Sequence, residues 1–285
     1  MPSKDYLYLL KLKQTSLLLF TAIAAYYAAP GHISLWILSL LLISEFLAIG
    51  GTTAVNMYFD RDIDAKMNRT KWRPLPAGRI KHPYALIYGS LIYAIGLALS
   101  INVNWLFFLT ILLGFVFDIF VYTLYFKRRT FLNVIFGGIA GGMPAMGGWL
   151  AKTGFFEPGA ILAFALVFLW IPMHIWFLSI YYLDDYRASG VPMLPVVVGE
   201  RRTAKYVIAT LFLLEMVVVA MYLLNYANIF TLSTSTVLTL LSTRVMVRFI
   251  KEPSREIARQ LFKFASPYLA FVFLPMAFER ALNLL

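Results

Sequence analysis

The sequence predicts an all-α integral membrane protein, a bundle of nine transmembrane helices, and three observations carry that expectation. Of its 285 residues, 61% are apolar and only 14% charged, with a mean hydropathy of +0.76. That charge content is about half that of an ordinary soluble domain, too little to cover a soluble globule of this size. Apolar runs near the length of about 20 residues needed to cross a bilayer recur along the whole chain, at roughly 15–31, 34–57, 84–102, 104–126, 131–151, 158–183, 204–224, 228–248 and 265–284. Basic residues, finally, crowd one set of connections. The N-terminal tail and the loops after the second, fourth, sixth and eighth spans carry 3, 7, 3, 4 and 6 lysines and arginines, leaving out only Lys152 and Arg280. This asymmetry places the N-terminus and those four loops in the cytoplasm and the C-terminus outside.

The spans follow from local signals. The first follows a short basic start, but its apolar stretch is long and no sharp cleavage site follows, so a retained helix is expected rather than a signal peptide. Pro30-Gly31 closes it, Pro83 opens the third, "NVN" at 102–104 separates the third from the fourth, Lys152-Thr153-Gly154 ends the fifth, and "NYAN" at 225–228 divides the seventh from the eighth. No period-2 alternation runs through these segments, which excludes a barrel. The whole chain reads as one domain, 1–285. There are no cysteines, so disulfides, thiolate metal sites and cysteine nucleophiles are excluded. The net charge of +11 points in such a chain to basic cytoplasmic loops over anionic lipid, not to nucleic acid. A multi-pass protein of the cell membrane, partnered by the lipid bilayer, is the expectation.

The fourteen acids are then informative. Glu45, Asp118, Glu215 and Glu279 fall inside spans, while Asp60, Asp62 and Asp64 follow the second span and Asp184 and Asp185 follow the sixth. Both clusters lie at cytoplasmic ends, where one cavity can hold them. If the second helix continues through the first cluster, Asn56, Asp60 and Asp64 recur every four residues along one face, with Asp62 elsewhere. Carboxylates on one face repel unless a cation lies between them, and hard oxygen donors suit Mg²⁺, which commonly bridges carboxylates to phosphates. Arg69, Lys71 and Arg73, and then Lys127, Arg128 and Arg129 one cytoplasmic loop later, are what a polyanion would also require. A solvated, topogenic loop explains the same charges from spacing alone. "DRDID" fails as a calcium loop, because Ala65 and Lys71 stand where Gly and Glu are needed.

The blocks after the second and sixth spans echo one another. "DRDIDAKMNRTKWRPLPAG" and "DDYRASGVPMLPVVVG" both run from acids through basic and small residues to Leu-Pro and Gly, as in a weak parallel repeat. "NMYFDRDIDAKMNRT…RPLPAG" resembles the first acidic motif of the UbiA superfamily of intramembrane prenyltransferases. "YTLYFKRRTFLNVIFGGIAGGMPAMGGW" and "HIWFLSIYYLDDYRASGVPMLPVV" are similar to its haem-farnesylating branch. The likeness covers roughly residues 50–200. It implies that Mg²⁺ ions on acidic motifs bind an allylic diphosphate, here farnesyl diphosphate. The implied metal ligands are Asn56, Asp60, Asp64, Asp184 and Asp185, and the implied diphosphate ligands Arg69, Arg73, Lys127 and Arg128, with Asp60, Asp64, Lys127 and Arg128 as the catalytic set. The adjacent Asp184–Asp185 pair departs from the superfamily's usual spacing of four, which leaves open which of the two reaches a metal.

The chemistry asks for such a set: charge building on the leaving diphosphate needs Mg²⁺ and Arg or Lys in a water-poor site. The carbocation then needs electron-rich walls, for which Tyr58, Phe59 and Tyr122 are placed by sequence, with an interfacial aromatic belt as their ordinary explanation. The acceptor implied by the resemblance is haem b, whose vinyl group gains a hydroxyethylfarnesyl arm. His174 is the candidate to ligate or orient the porphyrin, or else a histidine satisfied within the bundle; Glu45, eleven residues before Asn56, shares the same side of its helix. The glycine run at 137–148 reads as close helix packing. A haem A synthase or terminal-oxidase assembly partner is implied by analogy only. Rival readings are another prenyltransferase of the superfamily, acting on an aromatic, quinone-precursor or lipid acceptor, and a polytopic transporter. Against the transporter, the acids gather at one face instead of mid-membrane.

Overall fold

The computed structural model describes residues 2–281, and every regular element among them is helical. In chain order they are α1 (Pro2–Leu9), α2 (Leu12–Ala28), α3 (Leu35–Lys66), α4 (His82–Ser100), α5 (Trp105–Phe115) with its π-helical continuation (Val116–Phe126), α6 (Asn133–Thr153), α7 (Pro158–Tyr181), α8 (Leu183–Ser189), α9 (Leu194–Val198), α10 (Glu200–Leu223), α11 (Ile229–Lys251) and α12 (Arg255–Ala281). Eight of these segments are long and apolar enough to cross a membrane. The first expected span corresponds to α2, whose 17 residues reach about 25 Å at 1.5 Å per residue, a little short of the others.

Local signals set the boundaries. The side chains of Ser34, Asn104 and Asn228 accept from the backbone N–H groups of Ile37, Phe107 and Thr231 and so open α3, α5 and α11. Pro83 and Pro158 sit in the first turns of α4 and α7, where their missing N–H costs nothing. Gly154 closes α6 in the left-handed region, at φ 72°. Two outcomes depart from the sequence reading. The helix at the ninth expected span begins at Arg255, ten residues early, because the basic segment 255–263 continues the same helix. The short helices α1, α8 and α9 carry too little periodic apolar pattern to be read from sequence.

Helix α3 packs along α4, α6 lies between α5 and α7, α7 meets α10 and α12, and α11 joins α10 to α12. Helix α2 bridges the halves by touching α6, α12 and α3. The approach to α6 is close enough that a Cβ on Gly148 would stand 2.0 Å from the Ala22 carbonyl oxygen. Part of the glycine run is thus helix packing, as expected without a hydrophobic drive between helices in lipid. The buried core is richest around α7, where Trp170, Met173, Phe177 and Ile180 meet Tyr268, Leu269 and Phe273 of α12. Exposed Leu35, Trp36, Leu223 and Phe230 cluster at helix ends opposite the acidic loops, where a lipid boundary accepts them.

Candidate active site

Helix α3 runs unbroken through the first acidic cluster, so the spacing of four is realised. Asn56, Asp60 and Asp64 are all buried, while Asp62 is exposed. Each buried group has a partner from another segment. The Asp64 carboxylate accepts from Arg73 Nη1 at 2.8 and 3.0 Å, Asp60 Oδ2 accepts from Lys127 Nζ, and Asn56 Nδ2 donates to Thr123 Oγ1 at 2.6 Å. Asp60 Oδ1 is buried with no hydrogen-bond partner. Burial disfavours the Lys127 ammonium, but the Asp60 carboxylate outweighs it and holds that ammonium above its ordinary pKa.

Of these groups Arg73 lines a cavity of about 1040 Å³, while Asn56, Asp60, Asp64 and Lys127 stand behind its wall. Lys4, Lys11, Lys13, Arg69 and Arg73 line its mouth; Asp118, Tyr122 and His174 lie further in; and Glu45 and Thr110 mark the far end. The remaining wall is largely apolar, including Ile49, Ile111, Trp170, Ile171 and Phe262. The π-helical turn places Asp118 and Tyr122 on this wall and ends with Lys127 N donating to Tyr122 O at 2.8 Å, which brings Lys127 back to Asp60. Wide turns of this kind recur at functional sites.

The second acidic pair divides. Asp185 reaches the first loop, accepting from the backbone N–H groups of Asn68 at 3.1 Å and Arg69 at 3.0 Å. Asp184 is exposed and pairs with Arg255 and Arg187 at 3.3 and 3.6 Å. The Arg69 guanidinium also stacks over the Tyr182 ring at 5.1 Å, and the two echoing blocks meet where Asp185 accepts from Asn68 and Arg69. Arg128 is not brought to the cavity. It turns outward and clasps Asp62 at 2.7 Å from both nitrogens, and that hydrogen bond raises its pKa further. Tyr58 and Phe59 stack on each other, and Arg61 covers Tyr58; Tyr58 packs against the cluster that holds Leu9 and Leu75, away from the cavity. Tyr122 alone of the three expected aromatics lines the cavity.

Lys11 is the site residue the sequence did not reveal. It joins α1 to α2 in the left-handed region, φ 43°, a conformation costing a non-glycine residue about 1–3 kcal/mol, and its side chain borders the cavity. Burial, followed by the nearby Arg73, lowers its pKa to about 8, while Asp60 and Asp64 act in the opposite direction. One signal was available: "KLK" opens an apolar span.

Comparison with known proteins decides the family. The model of the UbiA prenyltransferase family matches residues 17–268. The chain belongs to the UbiA prenyltransferase family. Among its UbiA relatives, the protoheme IX farnesyltransferase of Korarchaeum cryptofilum is 45% identical over 99% of this chain and 95% of its own length. That of Archaeoglobus fulgidus is 42% identical over 92% and 93%. The fold agrees with solved UbiA-type structures. A digeranylgeranylglyceryl phosphate synthase superposes with a TM-score of 0.80 at 21% identity, covering 98% of both chains. A UbiA homolog from Archaeoglobus fulgidus, bound to GPP and Mg²⁺, gives 0.70 at 20% identity, covering 95% of this chain and 99% of that one.

Proposed function

We propose that this UbiA enzyme transfers a farnesyl group from farnesyl diphosphate to a vinyl group of haem b, giving haem O. The observation that carries the proposal is a pair of buried carboxylates, Asp60 and Asp64, each matched to one cation, with Arg73 of the second pair lining an apolar cavity. The length and identity of the match to proteins named protoheme IX farnesyltransferase support the choice of acceptor.

The donor set fits Mg²⁺: the buried carboxylates are hard oxygen donors, and Asp60 Oδ1 is an orphaned acceptor. Asn56, Asp60 and Asp64 would hold the ion, with Asp185 the member of the second pair nearer the first loop. When bound, Mg²⁺ supplies positive charge to the diphosphate as the allylic C–O bond breaks. The chain's own contribution is electrostatic and steric. Arg73, Lys127, Arg69 and Lys11 take up the charge on the leaving diphosphate, each such contact being worth about 3 kcal/mol in a water-poor site. Tyr122 presents its ring to the allylic cation. The apolar wall keeps water from the cation until the vinyl carbon has reacted.

The finer topology is part of the same reading: nine spans with α2 as the first, the N-terminus and the acidic loops cytoplasmic, the C-terminus outside, and the host the cell membrane. A haem A synthase or terminal oxidase is the partner that fits the product. The test is purified enzyme with Mg²⁺, farnesyl diphosphate and ferrous haem b, read by mass-resolved chromatography beside Asp60→Ala and Asp64→Ala. Haem O from the wild type and from neither variant supports the reading. Diphosphate release without haem O leaves a prenyltransferase with another acceptor.

A further inference from the structure

His174 is a titratable cavity residue that the diphosphate site does not use. Its ring borders the cavity and is held between two aromatic planes: Trp170 at 4.9 Å and 23°, and Phe262 at 4.8 Å and 44°. Trp170 is itself fixed, its Nε1 donating to the Ala265 carbonyl at 2.6 Å. The imidazole is therefore aimed and has little freedom to turn. Yet among the described residues it makes no hydrogen bond, and its Nδ1 is buried without a partner. Leaving such a group unpaired costs about 1–3 kcal/mol, and the rest of the ring borders the cavity. Among the described residues, no charged group of α6, α8, α9, α10 or α12, the helices packed on α7, interacts with the ring.

Depth gives the role. His174 lies seven residues before Tyr181, about 10 Å of helix, below the cytoplasmic end of α7, where Asp185 and Arg69 meet. Glu45 lies fifteen residues, about 22 Å, from Asp60 along α3. Asp118 sits on the other side, near Lys127 and Asp60. His174 thus lies deeper along its helix than the contact between Asp185 and Arg69.

We infer that His174 is the general base for the water that completes the transfer, an inference that rests on the haem reading above. The allylic C–O bond breaks and its electron pair leaves with the diphosphate. The vinyl π pair then forms the new C–C bond to the farnesyl carbon, leaving a cation on the carbon attached to the porphyrin. Water oxygen bonds to that carbon, and its proton passes to the unprotonated nitrogen of His174, which returns it to solvent through the cavity mouth. No oxidant or reductant enters. Without a base for the water, the same cation loses a carbon-bound proton and yields an alkene, a product lighter by one water. His174 thereby decides between hydroxyl and alkene.

The experiment compares wild type with His174→Ala and His174→Gln for diphosphate release, haem b titration and product mass. Both variants are expected to bind haem with an unchanged Soret band and to release diphosphate within about threefold of wild type, while haem O falls about 100-fold and the lighter adduct appears. Added imidazole should restore haem O in His174→Ala, where space is opened, and not in His174→Gln. Undiminished haem O in His174→Ala, failure of imidazole to restore it, or a weakened or shifted Soret titration would each overturn the role, the last pointing to an iron ligand. In wild type alone, lowering the pH should move product from hydroxyl to alkene as the imidazole protonates; a flat partition also overturns it. If wild type makes no haem adduct at all, the haem reading has failed first, before any variant is compared.

Discussion

Asp60 shares only one of its carboxylate oxygens with Lys127: Oδ2 accepts from Nζ, and Oδ1 is buried with no partner. The two residues are 67 positions apart, and the pair joins α3 to the end of the π-helical turn. An acceptor left unpaired beside a neutralised one is arranged for a ligand rather than for stability, since a buried unpaired polar atom carries a penalty of about 1–3 kcal/mol.

Asp60→Asn should therefore abolish activity: diphosphate release is expected to fall at least about 100-fold. That change strands the Lys127 ammonium and Lys127→Met strands the Asp60 carboxylate, so both should also lower the melting temperature, breaking a buried pair costing about 3–5 kcal/mol. Thermal unfolding in detergent beside a diphosphate assay reads the two effects separately.

Arg73 and Arg128 are both arginines paired to aspartates of α3, yet only Arg73 faces the cavity. Arg73→Ala should reduce diphosphate release about 100-fold. Arg128→Ala, which removes an exposed pair worth at most about 1 kcal/mol, should leave it within about threefold. Equal losses in a steady-state assay would refute this division of roles.

Lys11 should make donor binding pH-dependent. Its pKa is lowered to about 8, first by burial and then by Arg73. The charged form binds the anion, so affinity for inorganic diphosphate is full below pH 8 and weakens as pH rises through that value. Because the folded-state pKa lies below the unfolded one, the charge opposes folding at neutral pH, and that penalty is relieved as pH rises from about 8 toward 10.5. Lys11→Met should accordingly flatten the binding profile and leave the melting temperature at neutral pH unchanged or higher. Calorimetric titration at pH 7 and 9 reads the first effect.

Glycine substitutions should separate packing from lining. A Cβ at Gly148 would meet the Ala22 carbonyl, so Gly148→Ala must push α2 away from α6 and lower the melting temperature. At Gly137 the neighbour is the Tyr122 ring at 3.1 Å, and Gly137→Ala should shift that ring, altering turnover more than stability. Turnover with farnesyl diphosphate, set beside melting curves, tests the pair.

Chelation supplies the remaining check. Removing divalent metal with EDTA should stop diphosphate release, and Mg²⁺ should restore it in wild type and Arg128→Ala but not in Asp60→Asn. Release that persists in EDTA would exclude the Asn56–Asp60–Asp64 site as a metal centre.

The sequence by itself determined what depends on composition and local periodicity. The polar residues are too few for a soluble surface, and apolar runs bounded by Pro, Gly and Asn caps place nearly every long helix within a few residues. The spacing of four among Asn56, Asp60 and Asp64 requires a shared face once α3 is helical, and three quoted blocks carry the family. What depends on pairs distant in the chain was settled only by the tertiary structure. Lys127 and Arg128 are adjacent and chemically alike, but the π-helical turn sends one inward to Asp60 and the other outward to Asp62. Asp184 and Asp185 divide in the same way, because consecutive residues on α8 point about 100° apart. Lys11, remote from both motifs, enters the site through a left-handed turn that no hydropathy pattern marks. A residue's type is local, but the direction in which it points is set by the helix packed against it.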